Sequence, residues 1–332
     1  MVDKEIKVSP FYAIPGAEVI ITCKNFRFSY GSNYGVYFDG IRGRIIGASS
    51  NRIIVAVPDT LIYGEVELTV ESENGESSST RLHIGELLTE GMHIVANPAV
   101  SPIDGSIVIT RSGARGEKLS STLFKLNPER ELEEIPVDIM NPTGLAFDKS
   151  GNLFVTNRAS GEVVKIEKDG SYYTFSSNLG IATGIAFNSK GELFVGDRSG
   201  NIYKISENGE SEIFANLEPS VAAYHIAFDK EDNLFVTAPS LASFDTVWKI
   251  DRRGLVEAFY RGLGRPQGIA FDEKGDLYVA ACLRGRRGIV RISMEKGQAE
   301  LILSGTNVVG LCFASKDEMI VATSDKVFSV HI

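Results

Sequence analysis

A short motif repeats through the last three quarters of this chain and constrains its fold more than any other feature. The motif has the form Pro-x-Gly-[Leu/Ile]-Ala-Phe-Asp, followed by a glycine-containing turn and by Leu-[Phe/Tyr]-Val. Its clearest copies occupy residues 141–148, 182–188 and 265–272. The equivalent positions of six copies are 40 to 44 residues apart and are Val100, Gly144, Gly184, His225, Gly268 and Gly310. A period of this length, with four short strands in each unit, is typical of β-propeller blades.

The residues inside one unit agree with this prediction. Gly-Leu-Ala-Phe is apolar on both faces, as expected for a strand that is covered by a neighbouring sheet on each side. The glycines and alanines of the motif would allow innermost strands to approach one another around a common axis. The last unit contains only three strands, because the chain ends at residues 327–332. We expect residues near 86–94 to supply the fourth strand, which would close the ring and remove exposed sheet edges.

On these residues, the segment 86–332 resembles an NHL-type or gluconolactonase-like (senescence-marker-protein-like) six-bladed β-propeller. The resemblance implies the fold, whereas propellers carry many unrelated activities. Residues 1–85 lack the repeat. They contain Val8-Ser9-Pro10, a proline turn that leads into an alternating strand within residues 14–26, a strand that ends at Pro58, and a hairpin around residues 73–75. This order resembles the immunoglobulin-like IPT/TIG family, whose members act as spacers, sugar-associated domains or interaction surfaces.

The predicted fold class is therefore all-β, with an immunoglobulin-like β-sandwich at 1–85 followed by a six-bladed β-propeller at 86–332. The short join between them predicts that the two parts pack directly on each other, because a flexible tether needs several unrestrained residues.

Charge and hydropathy limit the partners of the chain. The formal net charge is −9, and the only basic cluster lies at residues 284–287, so a nucleic-acid surface is not expected. No apolar stretch approaches the length of a membrane span. The first residues lack the apolar core of a signal peptide, which favours a cytoplasmic location.

A propeller usually binds its ligand at the mouth of the central channel, where loops enter the first strand and leave the second strand of each blade. Reading the repeats in register places one set of side chains at this mouth. We predict a ligand-binding site there, with no catalytic residue assigned, at Arg111, Asn157, Arg158, Asp197, Arg198, Tyr224, His225 and Gln267.

Arginines occur at or beside the same exit position in three consecutive units, at Arg111, Arg158 and Arg198. Guanidinium groups bind carboxylates and phosphates, but they also form salt bridges with acidic turns or with Asp197, and the sequence leaves both interpretations open. His225 is a candidate general base or ligand donor, because imidazole titrates near neutrality. The alternative is a histidine that only hydrogen-bonds its neighbours or water.

The resemblance to gluconolactonases also implies a divalent metal, calcium or zinc, held mostly by acidic and amide residues that enter the first strands. Here these positions are Ala99, Thr143, Thr183, Tyr224, Gln267 and Val309, which are poor ligands for a hard cation. Only Asp197 and Asn157, in the neighbouring column, could coordinate one.

We therefore expect no cofactor and a non-catalytic recognition or scaffold protein. Its ligand would be a small anionic or sugar-like molecule, or a protein partner. The alternative is a metal-dependent lactone hydrolase or a propeller lyase.

Overall fold

The computed structural model describes residues 6–24, 26, 27, 34–60, 62–73, 77–113, 117 and 119–332. Throughout these residues the regular structure consists of β-strands arranged in many small sheets, with no helix. The chain is therefore all-β, as predicted.

Among the described residues, the first part of the chain has nine strands. They are β1 (Lys7–Ser9), β2 (Tyr12–Ala13), β3 (Glu18–Thr22), β4 (Val36–Phe38), β5 (Ile41–Arg42), β6 (Arg44–Ala48), β7 (Arg52–Ala56), β8 (Gly64–Glu71) and β9 (Ser77–Ile84). One sheet has the order β1-β3-β7-β6, and the order β9-β8-β4-β5 belongs to a second. Alternate residues of β8 are buried, so that Val66, Leu68 and Val70 join a core with residues of both sheets. The predicted hairpin is present as the antiparallel pair β8–β9, although its turn residues 74–76 lie outside the described residues.

The rest of the described chain contributes four-stranded antiparallel sheets, which we number 1 to 6. The strands of sheets 1 to 3 are β11 (Ala99–Val100), β12 (Ile107–Thr110), β13 (Leu123–Leu126) and β14 (Leu132–Glu134), then β15 (Pro142–Phe147), β16 (Leu153–Asn157), β17 (Glu162–Ile166) and β18 (Tyr172–Ser176), then β19 (Ala182–Phe187), β20 (Leu193–Asp197), β21 (Asn201–Ile205) and β22 (Ser211–Asn216). Each predicted motif thus begins one sheet.

Sheets 4 to 6 follow the same order. Their strands are β23 (His225–Phe228), β24 (Leu234–Thr237), β25 (Asp245–Ile250) and β26 (Val256–Leu263), then β27 (Ile269–Phe271), β28 (Leu277–Leu283), β29 (Arg286–Ile292) and β30 (Ala299–Ser304), then β31 (Val308–Ser315), β32 (Glu318–Thr323) and β33 (Val327–His331), which β10 (Glu86–Thr89) completes. The first strands of consecutive sheets contact one another, and β31 contacts β11.

Glycine is required where these first strands meet. A Cβ atom on Gly144 would lie 2.3 Å from the carbonyl oxygen of Thr183, and one on Gly310 would lie 2.5 Å from that of Ala96. Real Cβ contacts are never this short, so a side chain at either position would push neighbouring strands apart. The predicted role of small residues in close approach is confirmed.

Threonine hydroxyls connect neighbouring sheets near the same axis. The Thr156 hydroxyl accepts a hydrogen bond from the Gly144 amide and donates one to the Thr183 carbonyl in the next sheet. The Thr183 hydroxyl accepts a hydrogen bond from the amide of Tyr224, which directly precedes the first strand of sheet 4. These bonds join sheets 2, 3 and 4 through buried polar groups.

The last sheet is completed as expected from the sequence. Strand β10 pairs antiparallel with β33, with Glu86 opposite Ser329 and Leu87 opposite Phe328. Beyond β10, the amides of Met92 and Ile94 donate to the carbonyls of Asp325 and Ser324, in the turn between β32 and β33. The predicted closing strand near residues 86–94 is therefore confirmed.

The two parts of the chain share one sheet. Strand β2 lies parallel to both β9 and β30, with Tyr12 opposite His83 on one side and Leu303 on the other. The Ile14 amide donates to the Ser304 carbonyl, and the Ile14 side chain is buried in a core with residues of sheets 5 and 6. Direct packing of the first part on sheet 5 agrees with the expectation from the short join.

The basic cluster at residues 284–287 belongs to a hairpin of sheet 5. Arg284 and Gly285 form a tight turn between two seven-residue strands, and both turn residues have positive φ. The Arg286 guanidinium in this hairpin donates to the Ser9 carbonyl over 2.7 Å, so the extension supports the first part of the chain.

Candidate functional site

The predicted site residues lie at one end of sheets 1 to 5, which we call the mouth face. It consists of the segments that precede the first strand or follow the second strand of each sheet. Arg111, Asn157, Arg158, Asp197 and Arg198 end a second strand or follow it, whereas Tyr224, His225 and Gln267 precede or begin a first strand.

Arg158 and Arg198 directly follow the second strands of neighbouring sheets 2 and 3, whose strands β16 and β19 contact each other. Both side chains are half-buried. Burial, and then the positive charge of Arg198, lower the pKa of Arg158. No carboxylate of the described residues forms an ion pair with either guanidinium. Two neighbouring, partly desolvated cations without a counter-ion favour the entry of an anion.

Backbone carbonyls hold Arg198 in place. Its Nη2 atom donates to the Val221 carbonyl over 2.8 Å and to the Ser220 carbonyl over 3.5 Å, while its Nε is buried without an acceptor. Carbonyl oxygens orient a guanidinium group without cancelling its charge. The salt bridge between Arg198 and Asp197 that the sequence left open is therefore not among the contacts of these residues.

The Asp197 carboxylate stabilises a turn. The side chain is 1% exposed and accepts hydrogen bonds from the Ile181 amide over 2.8 Å, the Ser199 amide over 3.1 Å and the Ser199 hydroxyl. Asn157 has the matching role in sheet 2, where its Oδ1 accepts from the Ala159 amide. Because both side chains are buried and bonded to nearby backbone, neither is available to a cation.

Tyr224 and His225 are buried inside the molecule. Tyr224 is 1% exposed, its hydroxyl donates to the Glu218 carbonyl, and burial raises the pKa of Tyr224 to about 12. His225 is 4% exposed, and burial lowers the pKa of His225 to about 4. The imidazole is therefore neutral near pH 7, which argues against the interpretation of His225 as a general base that titrates near neutrality and favours the alternative of a structural histidine.

The hydrogen bonds of Arg111 and Gln267 are with residues other than Arg158 and Arg198. Arg111 is exposed and its amide donates to the Thr122 carbonyl. Gln267 is half-buried, and its backbone carbonyl accepts from the Thr237 hydroxyl of the preceding sheet over 2.5 Å. Of the predicted residues, Arg158 and Arg198 are thus the two that combine partial burial with a positive charge at equivalent positions of neighbouring sheets, and Asp197 stabilises the turn that contains Arg198.

Sequence reasoning missed a group of exposed apolar side chains on the mouth face. Ile181, Val221, Leu241 and Phe244 all lie in segments that enter a first strand or leave a second strand. The signal was large apolar residues in segments where turn-forming polar residues are usual. The repeat predicts mouth residues only at positions in register, and these apolar side chains lie outside those positions.

The described residues contain no group of three or more His, Cys, Asp or Glu side chains that could hold a metal ion. A hard cation requires several charged oxygen ligands. The residues of the mouth therefore do not fit the calcium or zinc site that a gluconolactonase-like protein would have.

No protein-family model matches the chain, and no curated protein sequence matches it. Solved structures do. A gluconolactonase-like protein is 14% identical with a TM-score of 0.61, over 74% of this chain and 91% of its own. An auxiliary nutrient binding protein from Bacteroides ovatus is 11% identical with a TM-score of 0.57, over 99% of this chain and 97% of its own. A streptogramin B lyase is 14% identical with a TM-score of 0.54, over 98% of this chain and 97% of its own.

At these identities the similarity describes the fold alone, which is that of β-propellers. Two of the three proteins carry names of enzymes and one carries the name of a binding protein, so the comparison is compatible with either activity. In the part of the chain that the structure describes, no helix is long and apolar enough to cross a membrane.

Proposed function

We propose that this protein is a non-catalytic recognition protein that binds a small anionic ligand at the mouth face, with Arg158 and Arg198 as the principal contacts. We also propose that residues 86–332 form a six-bladed propeller of the NHL or gluconolactonase-like type and residues 1–85 an IPT/TIG domain. The sheet order and the contacts between successive first strands support this architecture.

The observation that carries the function is the unpaired arginine pair. A half-buried guanidinium costs free energy through lost hydration, and a second cation beside it adds to that cost. A carboxylate or phosphate between the two would offset both costs and could form bidentate hydrogen bonds. The proposed ligand is therefore an anion, in preference to the neutral sugars and the protein partners that the sequence also allowed.

The hydrolase or lyase alternative has less support from the side chains. Of the predicted mouth residues, His225 is buried and neutral and the Asp197 carboxylate is bonded to its own turn, so neither is placed to act as a base. No group of three or more His, Cys, Asp or Glu side chains that could hold a metal occurs among the described residues. The names of two similar structures are the main argument for this alternative.

A screen of small carboxylates and phosphates by calorimetry tests the proposal. We expect the Arg158→Ala, Arg198→Ala double variant to lose at least about tenfold in affinity for each arginine, because a hydrogen bond to a charged group contributes ~1.5 kcal/mol or more. Binding should also weaken with added salt.

A matched control removes two arginines elsewhere. Arg81 and Arg253 are exposed and form surface ion pairs with Glu65 and Asp251. The Arg81→Ala, Arg253→Ala variant has the same net charge as the test variant and should bind like the wild type. Equal binding by wild type and test variant, or a bound ligand at the opposite end of the sheets, would contradict the proposal.

A further inference from the structure

Four exposed apolar side chains lie in the mouth-face segments of sheets 3 and 4, and we call them the apolar rim. Ile181 is 44% exposed, Val221 46%, Leu241 91% and Phe244 68%. Ile181 directly precedes β19, Val221 lies in the segment before β23, and Leu241 and Phe244 lie between β24 and β25. Exposed apolar groups clustered on one face indicate a binding surface, whereas scattered ones need no explanation.

Hydrogen bonds connect the rim directly to Arg198. The Arg198 amide donates to the Ile181 carbonyl over 3.2 Å, and its Nη2 donates to the Val221 carbonyl over 2.8 Å. The Val221 amide in turn donates to the Pro239 carbonyl over 3.0 Å, at the start of the segment that carries Leu241 and Phe244. The segments that carry the apolar rim are thus hydrogen-bonded to Arg198 or to one another.

We propose that the ligand is an amphipathic organic acid, with its anionic group at Arg158 and Arg198 and its apolar chain or ring against the apolar rim. This inference rests on the proposed function and specifies the class of ligand. Unpaired cations require an acid, and the adjacent apolar surface stabilises a ligand that carries hydrocarbon next to its charge. Because both arginines are half-buried, a small acid reaches them more readily than the headgroups of a flat lipid surface do.

A homologous series of acids separates the two contributions. The probes are acetate, butyrate, hexanoate and octanoate, with dissociation constants measured by NMR titration of the wild type. We expect affinity to rise about two- to fourfold for each added methylene, because a fully buried CH₂ contributes about fourfold and the rim covers only part of the chain.

Variants assign each contribution to its residues. The Leu241→Ser, Phe244→Ser variant should keep its affinity for acetate and lose most of the dependence on chain length. The Arg158→Ala, Arg198→Ala variant should lose binding of every acid in the series. A matched control, Ile103→Ser with Leu255→Ser, removes two side chains of 62% and 63% exposure at the opposite end of the sheets and should behave like the wild type.

The outcomes distinguish failure of this inference from failure of the proposed function. Equal affinity for acetate and octanoate, both lost in the arginine variant, overturns the amphipathic ligand and retains the anion site. Binding of phosphates, but of no acid in the series, likewise overturns the amphipathic ligand and retains the anion site. If neither acids nor phosphates bind, both proposals fail. Tight binding to phosphatidylcholine–phosphatidylserine vesicles that depends on Leu241 and Phe244 overturns the inference in favour of a membrane surface.

Discussion

At the scale of single residues, burial decides what each polar side chain of the mouth can do. Asp197, Tyr224 and His225 stand at positions that the repeat assigns to the mouth, yet each is less than 5% exposed. Arg158 and Arg198 are half-buried and remain charged, because arginine keeps its proton even when partly desolvated. The two arginines are therefore the predicted residues best able to attract a ligand.

The buried His225 should make the protein less stable in acid. Its pKa falls from 6.5 to about 4 on folding, so the unfolded chain takes up a proton at higher pH than the folded one. The stability that the neutral imidazole contributes is complete above pH 6.5 and is lost as the pH falls from 6.5 toward 4. We expect a loss of about 2 kcal/mol between pH 7 and pH 4.5, since one pKa unit corresponds to 1.36 kcal/mol.

The measurement is the free energy of unfolding in urea at both pH values, for the wild type and for His225→Gln. The variant should lose less stability on acidification, because it removes the titrating group while carboxylates titrate equally in both proteins. His93→Asn is the control, since His93 is exposed. An identical pH dependence in His225→Gln and the wild type would refute the prediction.

At the scale of elements, sheets 1 to 4 are each built from four consecutive strands, whereas sheet 6 needs a strand from a distant part of the sequence. Its strands β10 and β33 are separated by nearly the whole length of the repeats. Thr156 and Thr183 connect neighbouring sheets through their hydroxyls, so the sheets stabilise one another near the axis. Loss of one closing strand should therefore weaken more than its own sheet.

A substitution at Phe328 tests the strand pair that completes sheet 6. Phe328 lies on β33 opposite Leu87 of β10 and is 2% exposed. Phe328→Ala should lower the free energy of unfolding by about 3 to 5 kcal/mol, because it leaves a cavity in the core that joins sheets 5 and 6. Phe244→Ala, at a site that is 68% exposed, should change it by less than about 0.5 kcal/mol.

Thermal and urea unfolding of both variants provide the comparison. A C-terminal deletion from Val327 onward should also lose cooperative unfolding, because it removes the whole strand. Wild-type stability in Phe328→Ala would mean that β33, the partner of the closing strand β10, does not pack into the core of sheets 5 and 6 in solution.

At the scale of the whole molecule, the first part of the chain is joined to the repeats by a continuous sheet. Tyr12 bridges β9 and β30, and the Ser304 hydroxyl donates to the Glu18 carbonyl over 2.6 Å. A connection of this kind resists bending, because any rotation has to break backbone hydrogen bonds.

Small-angle scattering should therefore give one narrow distribution of distances between the two parts. Ile14→Asp should broaden it, because Ile14 is 1% exposed within the shared core and a carboxylate there would lose its hydration. Ile46→Asp, at a site that is 42% exposed, should leave the distribution unchanged. A broad distribution in the wild type would show that the shared sheet does not persist in solution.

The sequence by itself determined the features that repeat along the chain. The spacing of Gly144, Gly184 and Gly310 predicted the units, and the incomplete last unit predicted that residues near 86 complete it. These inferences succeeded because strand pairing and close approach depend on residue type and order, which a sequence displays directly. The mouth residues could also be placed on one face by register.

Only the tertiary structure decided which of those residues are available. Register gives the height of a residue along a sheet but does not give the direction of its side chain or the neighbours that cover it. Tyr224 and His225 are therefore at the predicted positions but buried, and Asp197 is bonded to its own turn. The apolar rim and the shared sheet at Tyr12 come from loops and contacts outside the repeat, whose conformations depend on the assembled molecule.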